Sequence, residues 1–447
     1  MRPRLILPAA ALALTLAAPS AAAGQGFAPD RVVVRYDDGT SRAARRDVQR
    51  ATGTGFERRL PGGTRTLEIE DGETVGETVA ELRANPHVDY AVPDHRLTAA
   101  QLPPPFIPND PGRGGPGGWQ DLQWNFTGPF GVNAPQAWAL SRQTPAPGGR
   151  GAVVAVIDSG VAYRDRGGFR RAPDLYSKRW TSPYDFVDED RVPLDEDGHG
   201  THVTGTIAQA TNNGRGVTGL AYGVTIMPLR VLDENGNGDG SNFVRALRYA
   251  ARHGADVINM SVEFDSELRA ADIPDVIAAM RYAHSKGAVL VGASGNDSAA
   301  SVAYPARNGH AIAVGATTGG GCLAEYSNEG TGLDVVAPGG GVDSAPADND
   351  WDREHCDPTR RARFIYQQTT YRNPRDFQLL GFEGTSEATP HVAAIAALVI
   401  ATRRAGGGAG PEDVQRRIQQ TARDIGTPGY DKRYGFGLVD AAAAIAP

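Results

Sequence analysis

The chain has 447 residues, with a 40% hydrophobic share and 7% aromatics, which is enough for a large core or two domains. A formal charge of −7 argues against a basic surface for nucleic acid; the N-terminal apolar run is too short to span a bilayer, and no later stretch is apolar enough. Lysine occurs only at Lys178, Lys286 and Lys432, which together with abundant Gly, Ala and Pro reads as a bacterial high-GC coding bias.

Residues 1–23 read as an export signal: Arg2 and Arg4, an apolar run from Leu5 to Ala18, then Ala21-Ala22-Ala23 as a small-residue cleavage site. No cysteine stands near that cut, so no lipid anchor is expected, and the exported chain is expected to be a soluble monomer. In such a chain Cys322 and Cys356 suggest one disulfide, against two separate thiols. Residues 24–100 form a small α+β unit by pattern, with strands over Arg31 to Tyr36, Thr64 to Glu70 and Val88 to Val92. Helices are expected over Ser41 to Ala51 and Val75 to Ala84. A connector follows, rich in Pro103 to Pro105 and Gly112 to Gly118, which reads as a linker open to proteolysis.

The remainder, taken as one domain over residues 101–447, alternates. Unbroken β-rich runs cover Ala152 to Ile157, Val224 to Leu232, Asp256 to Val262, Ala288 to Val291, Ala311 to Val314 and Leu333 to Val336. Helical patterns fall at His199 to Ala210, Ser241 to His253, Asp275 to Lys286 and Ala388 to Arg403, then Pro411 to Thr421 and Leu438 to Ile445. This predicts an α/β fold with a mostly parallel sheet covered on both faces, whose functional groups gather at the C-terminal strand ends.

Four motifs fall there. Asp158 ends a strand in Val-Val-Ala-Val-Ile-Asp-Ser-Gly, and His199 opens a helix in Asp-Gly-His-Gly-Thr-His-Val-Thr-Gly. Asn296 follows a strand in Gly-Ala-Ser-Gly-Asn, and Ser386 stands on the turn Gly384-Thr-Ser at the start of an apolar helix. A hydroxyl, an imidazole, a carboxylate and an amide donor are the parts of an acyl-transfer site. Pro390 is read as tolerated in the first helical turn, where no amide donor is needed.

In that order these motifs resemble the subtilisin-like serine proteases, from about Asn109 to the C-terminus. The resemblance implies that Asp158 orients the imidazole, His199 is the base and acid, Ser386 is the nucleophile, and Asn296 with the Ser386 amide holds the oxyanion. His202, one turn after His199, then reads as a packing residue. The front unit looks like an inhibitory prodomain that the enzyme cuts away itself between about Arg96 and Gln101. Substrates would be proteins or peptides, bound as a strand between Ser261-Val262-Glu263 and the segment around Gly238 and Gly240. Ala293, Ser294, Gly295 and Ala303 would line the first pocket. Alternatives are a narrow processing protease or an inactive binding module of the same fold.

The family also implies structural Ca2+. The loop Thr211 to Val217 offers Asn213 and the carbonyls of Thr211, Arg215 and Val217, with Asp110 and Asp174 as remote carboxylates. The run Asp185 to Asp190 resembles a second calcium loop of thermitase-like members, or is a solvated acidic loop. Three features depart from the family. Glu263 replaces a common glycine, and its carboxylate either favours basic residues or points to solvent. Glu387 replaces the usual methionine after the nucleophile, which puts a carboxylate where charge develops. The stretch from Pro338 to Gly384 is longer than usual, with a possible place over the cleft.

Overall fold

The computed structural model describes residues 26–97, 102–176, 178–344, 354–371 and 373–447. The expected export signal at 1–23 therefore lies outside the described residues, as does most of the expected cleavage zone. The chain divides into two compact units, Met1–Gln101 and Leu102–Pro447.

The first unit is a four-stranded antiparallel sheet in the order β2-β3-β1-β4 with two helices. Its elements are β1 (Phe27–Tyr36), α1 (Arg42–Ala51), β2 (Thr54–Arg59), β3 (Arg65–Ile69), α2 (Val75–Ala84) and β4 (Val88–His95). Ser41 caps α1, and Thr74 with Glu77 closes a capping box on α2, so local signals set both helix starts. Val32, Val34, Val48, Leu67, Val79 and Leu82 make the core. Strand β2 was not expected, because most of its residues are exposed and its ladder to β3 rather than its burial makes it a strand.

The second unit opens with α3 (Trp119–Leu122) and α4 (Ala134–Ser141), followed by β5 (Val153–Asp158), β6 (Arg179–Trp180), β7 (Tyr184–Asp185), α5 (His199–Ala208) and β8 (Thr225–Arg230). Next come α6 (Gly240–Arg252), β9 (Val257–Met260), α7 (Pro274–Ser285), β10 (Val289–Ala293), β11 (Ala311–Thr317) and β12 (Val335–Pro338). A hairpin of β13 (Ile365–Thr369) and β14 (Gln378–Phe382) leads to α8 (Thr385–Ala401), α9 (Pro411–Thr421) and α10 (Ala441–Ile445). The eight-stranded sheet runs β12-β11-β10-β9-β5-β8-β6, with β7 also on β8, and every pair is parallel. Alternate residues of β5 face opposite layers: Val154 and Val156 meet the α8 side, while Ala155 and Ile157 meet α6 and α7. Helix α8 is apolar nearly all round and buried, as a central helix must be.

Three local expectations change. The Pro/Gly connector is no open linker: Asp110 is fully buried, Trp119 Nε1 donates to Pro108 O at 3.0 Å, and Phe106 N donates to Pro135 O at 2.9 Å. Pro and Gly there serve tight turns, and an added Cβ at Gly118 would lie 2.5 Å from Pro111 O. The long stretch after Pro338 contains the β13–β14 hairpin, which packs on α5 through His202 Nε2 and Ile365 O at 2.9 Å. Helix α8 begins at Thr385, before the expected Ala388, so Pro390 lies inside it. Cys322 and Cys356 are joined in a disulfide.

Candidate active site

Strand β5 brings Asp158 to the C-terminal edge of the sheet, and α5 starts with His199 above it. His199 Nδ1 and Asp158 Oδ1 are 2.7 Å apart. The approach requires glycine at Gly200, where a Cβ would lie 2.1 Å from Gly160 O and 3.1 Å from Asp158. Gly198 caps the helix at φ 110, a left-handed conformation.

A residue that no motif pointed to holds this arrangement. Asp195 is fully buried and accepts from Ser159 Oγ (2.9 Å), Gly198 N (2.7 Å) and Thr201 N (2.8 Å), and also from Thr201 Oγ1. It therefore ties the residue after Asp158 to the first turn of α5. Burial pushes its carboxyl up to about 6 against the pull of these donors. With Asp197 N as well, five donors from two segments converge on Asp195, a tertiary fact that local pattern does not signal.

Ser386 sits in the first turn of α8, whose opening amides have no helical acceptor. Pro390 lacks the N–H that would bind the Ser386 carbonyl, and Ser261 Oγ donates to that carbonyl at 2.8 Å instead. In return Ser386 Oγ donates to Ser261 O at 3.2 Å. Asn296 is held from both sides. Its Oδ1 accepts from Thr385 N (2.8 Å) and Thr385 Oγ1 (3.0 Å), while its N and Nδ2 donate to the Glu263 carboxylate at 2.9 and 3.3 Å. Glu263 thus turns toward Asn296.

Burial alone would lower the His199 imidazole, but the Asp158 carboxylate overrides it, with Glu387 and Asp197 adding, and pushes it up to about 10. Glu387 is buried with Oε1 3.8 Å from His199 Nε2 and 3.6 Å from His202 Nδ1. Burial pushes Glu387 up to about 7 against the charge of His199. His202 stacks on Phe382 with ring centroids 4.4 Å apart, and burial pushes it down to about 3, so it packs as a neutral ring.

A cleft of about 430 Å³ opens beside His199 and Ser386. Of the expected peptide-binding residues, Ser261, Val262, Glu263, Gly238 and Gly240 line it. Ala293, Ser294, Gly295 and Ala303 do not: they are buried behind it, with Ala303 N donating to Ser294 O at 2.7 Å and Ser294 Oγ to Asn328 O at 3.0 Å. Leu232, Phe243 and Phe264 supply apolar wall that sequence reading did not assign. The β13–β14 hairpin lies against the start of α5, with Thr369 Oγ1 donating to Gly198 O, and its residues do not line this cleft.

The loop after α5 wraps Asp110 and Asp174, both buried. Asp110 accepts from the amides of Asn212 (2.7 Å) and Asn213 (3.0 Å), and Asp174 from Asn213 Nδ2 (2.6 Å) and Gln209 Nε2 (2.9 Å). At Gly216 an added Cβ would lie 2.3 Å from Asp174 Oδ2, so Arg215 to Val217 pass close to that carboxylate. The Asp185 to Asp190 run differs from the expected cation loop. Arg230 pairs with Asp185 at 3.1 Å, Asp188 at 2.9 Å and Glu196 at 2.6 Å, while Asp190 accepts from Val192 N at 2.7 Å. Among the described residues no three His, Cys, Asp or Glu side chains converge as a metal site.

Comparison with known proteins gives matches over both units. A model of the subtilase family, peptidase S8, matches residues 149–437, and a model of the fervidolysin N-terminal prodomain matches residues 14–94. A thermophilic serine proteinase of Bacillus sp. (strain AK1) is 35% identical over 369 residues, 83% of this chain and 75% of that one. Thermitase of Thermoactinomyces vulgaris is 33% identical over 319 residues, 71% of this chain and 95% of the relative. Among solved structures, one of proteases from Pseudoalteromonas arctica PAMC 21717 superposes with a TM-score of 0.58 at 29% identity, covering 76% of this chain and 98% of the other.

The Asp195 clamp generates a test. Replacing it with Ala strands four buried donors, so unfolding free energy should fall by about 3 kcal/mol or more. Peptide hydrolysis should lose kcat rather than gain KM, because the Asp158–His199 alignment slackens. Guanidinium unfolding and initial rates measure both, and a variant unchanged in each would mean that the clamp positions nothing.

Proposed function

The chain belongs to the subtilase family and is a serine endopeptidase, and from that premise we propose that it is exported, removes its own prodomain, and hydrolyses peptide bonds through an acyl-enzyme on Ser386. The observation that carries this reading is the 2.7 Å Asp158–His199 pair at the mouth of a cleft that also holds Ser386 on a helix N-terminus.

In this mechanism the Ser386 hydroxyl leaves the Ser261 carbonyl, passes its proton to His199 Nε2 and attacks the scissile carbonyl. Asp158 keeps the proton on His199 Nδ1 and stabilises the imidazolium. The tetrahedral oxyanion is met by Asn296 Nδ2 and the Ser386 N–H, aided by the positive end of α8. His199 then protonates the leaving amine, and water repeats the sequence to release the acid. The fervidolysin-like prodomain acts as an intramolecular inhibitor and folding template, since a large parallel sheet is rich in non-local contacts. Self-cleavage between Arg96 and Gln101 would release it. Ser386→Ala should leave the secreted chain full length, read by N-terminal sequencing; processing at the normal rate would move the nucleophile elsewhere.

Calcium would be held by Asp110, Asp174 and Asn213 with the carbonyls of Thr211, Arg215 and Val217. What supports this is a pair of buried carboxylates, neither ion-paired with Lys or Arg among the described residues, inside one oxygen-rich loop. A bound ion there is structural and takes no part in hydrolysis. Excess chelator should speed thermal inactivation about tenfold or more, and an unchanged half-life would remove the ion.

The base must be neutral, so kcat/KM should rise with pH as His199 loses its proton, giving an alkaline optimum. Glu387 is one of the charges that raise the imidazole. Glu387→Gln should therefore move the acid limb of the pH profile to lower pH. A limb that stays in place or moves up would show that the buried carboxylate is uncoupled from the base.

A further inference from the structure

The cleft carries more negative charge than hydrolysis requires. Asp197, Asp239 and Glu263 all line it, and among the described residues no lysine or arginine does. Glu263 is the one that contacts Asn296. Its Oε2 accepts from Asn296 N at 2.9 Å and its Oε1 from Asn296 Nδ2 at 3.3 Å. The same carboxylate lies against Gly295, where an added Cβ would be 2.8 Å from Oε2. Asn296 is in turn pinned to Thr385, the neighbour of Ser386. A carbonyl attacked by Ser386 must sit at this amide, so the side chain attached to that carbonyl's residue projects beside Glu263.

The carboxylate has no counter-charge. Among the described residues Glu263 forms no ion pair with Lys, Arg or His, and after burial, which raises its pKa, the other group raising it is a second acid, Asp297. Arg307 spends its guanidinium on the carbonyls of Val302, Ser266 and Leu268. An unanswered carboxylate beside the oxyanion donor opposes the charge that develops in the transition state. A cation delivered by the substrate would cancel that opposition and gain an ion pair with the carboxylate.

We propose that Glu263 makes this enzyme selective for peptide bonds on the carboxyl side of lysine or arginine, with the substrate's cation neutralising the carboxylate that otherwise burdens Asn296. This rests on the hydrolytic reading of Ser386 and adds its substrate class. Glu263 acts on two quantities: binding, through the ion pair, and kcat, through the oxyanion.

The test uses the mature secreted enzyme on an unfolded protein, with cut sites mapped by mass spectrometry, and on two peptides that differ only by Arg or Leu before the scissile bond. The Arg peptide should lead by about tenfold to a hundredfold in kcat/KM, partly in kcat, and the lead should shrink in high salt. Glu263→Gln should slow the Arg peptide and quicken the Leu peptide, and Glu263→Lys should turn preference toward Asp or Glu. Cut sites with no excess after Lys and Arg would overturn the proposal, as would a Glu263→Gln variant that changes both peptides by the same factor. If the intact enzyme cuts neither peptide nor the unfolded protein, the hydrolytic reading itself falls, and this inference with it.

Discussion

Asp195 is the constraint on which the site depends. The Asp158–His199 pair needs a strand end and a helix start, separated by a long excursion through β6 and β7, to meet within a hydrogen bond. One fully buried carboxylate achieves this by accepting from Ser159 on one side and Gly198 and Thr201 on the other. The close fit of Gly200 against Gly160 and Asp158 then leaves the helix a single approach. A polar group placed this deep is costly unless fully bonded, so its donors are committed to it and the geometry is stiff.

Four carboxylates around the centre show how environment assigns roles to one functional group. Asp158 is buried and paired to an imidazole. Asp195 is buried and bonded to amides and hydroxyls. Glu387 is buried facing His199 and His202, with Oε1 unbonded among the described residues. Glu263 is open to the cleft and bonded to an amide that faces the reacting carbonyl. Asp158 and Glu387 favour the imidazolium, and of the four only Glu263 is placed where a substrate can answer it.

The nucleophile's helix shows a second economy of parts. Pro390 removes an amide that would have closed the turn at Ser386, and the freed carbonyl is taken by Ser261 from β9's end. The serine is thus anchored by its backbone to the strand segment that also lines the cleft.

Much of this was readable in the chain. Unbroken Val, Ile and Ala runs alternating with amphipathic helices required a parallel sheet, because only a sheet covered on both faces buries every residue of a strand. Strand ends then had to carry Asp158 and precede Asn296, and the Gly-rich turns before His199 and Ser386 marked helix starts. Short or exposed elements such as β2, β6 and the β13–β14 hairpin escaped, since their pairing is made by distant partners and not by local periodicity. The same reason hid Asp195, the fate of the Ser386 carbonyl, the burial of Ala293 to Gly295 behind the cleft, and Arg230's hold on the Asp185 loop. Composition and spacing determine which groups are available and on which element they ride; which of them desolvate one another is decided only when segments far apart in sequence close to within a hydrogen bond.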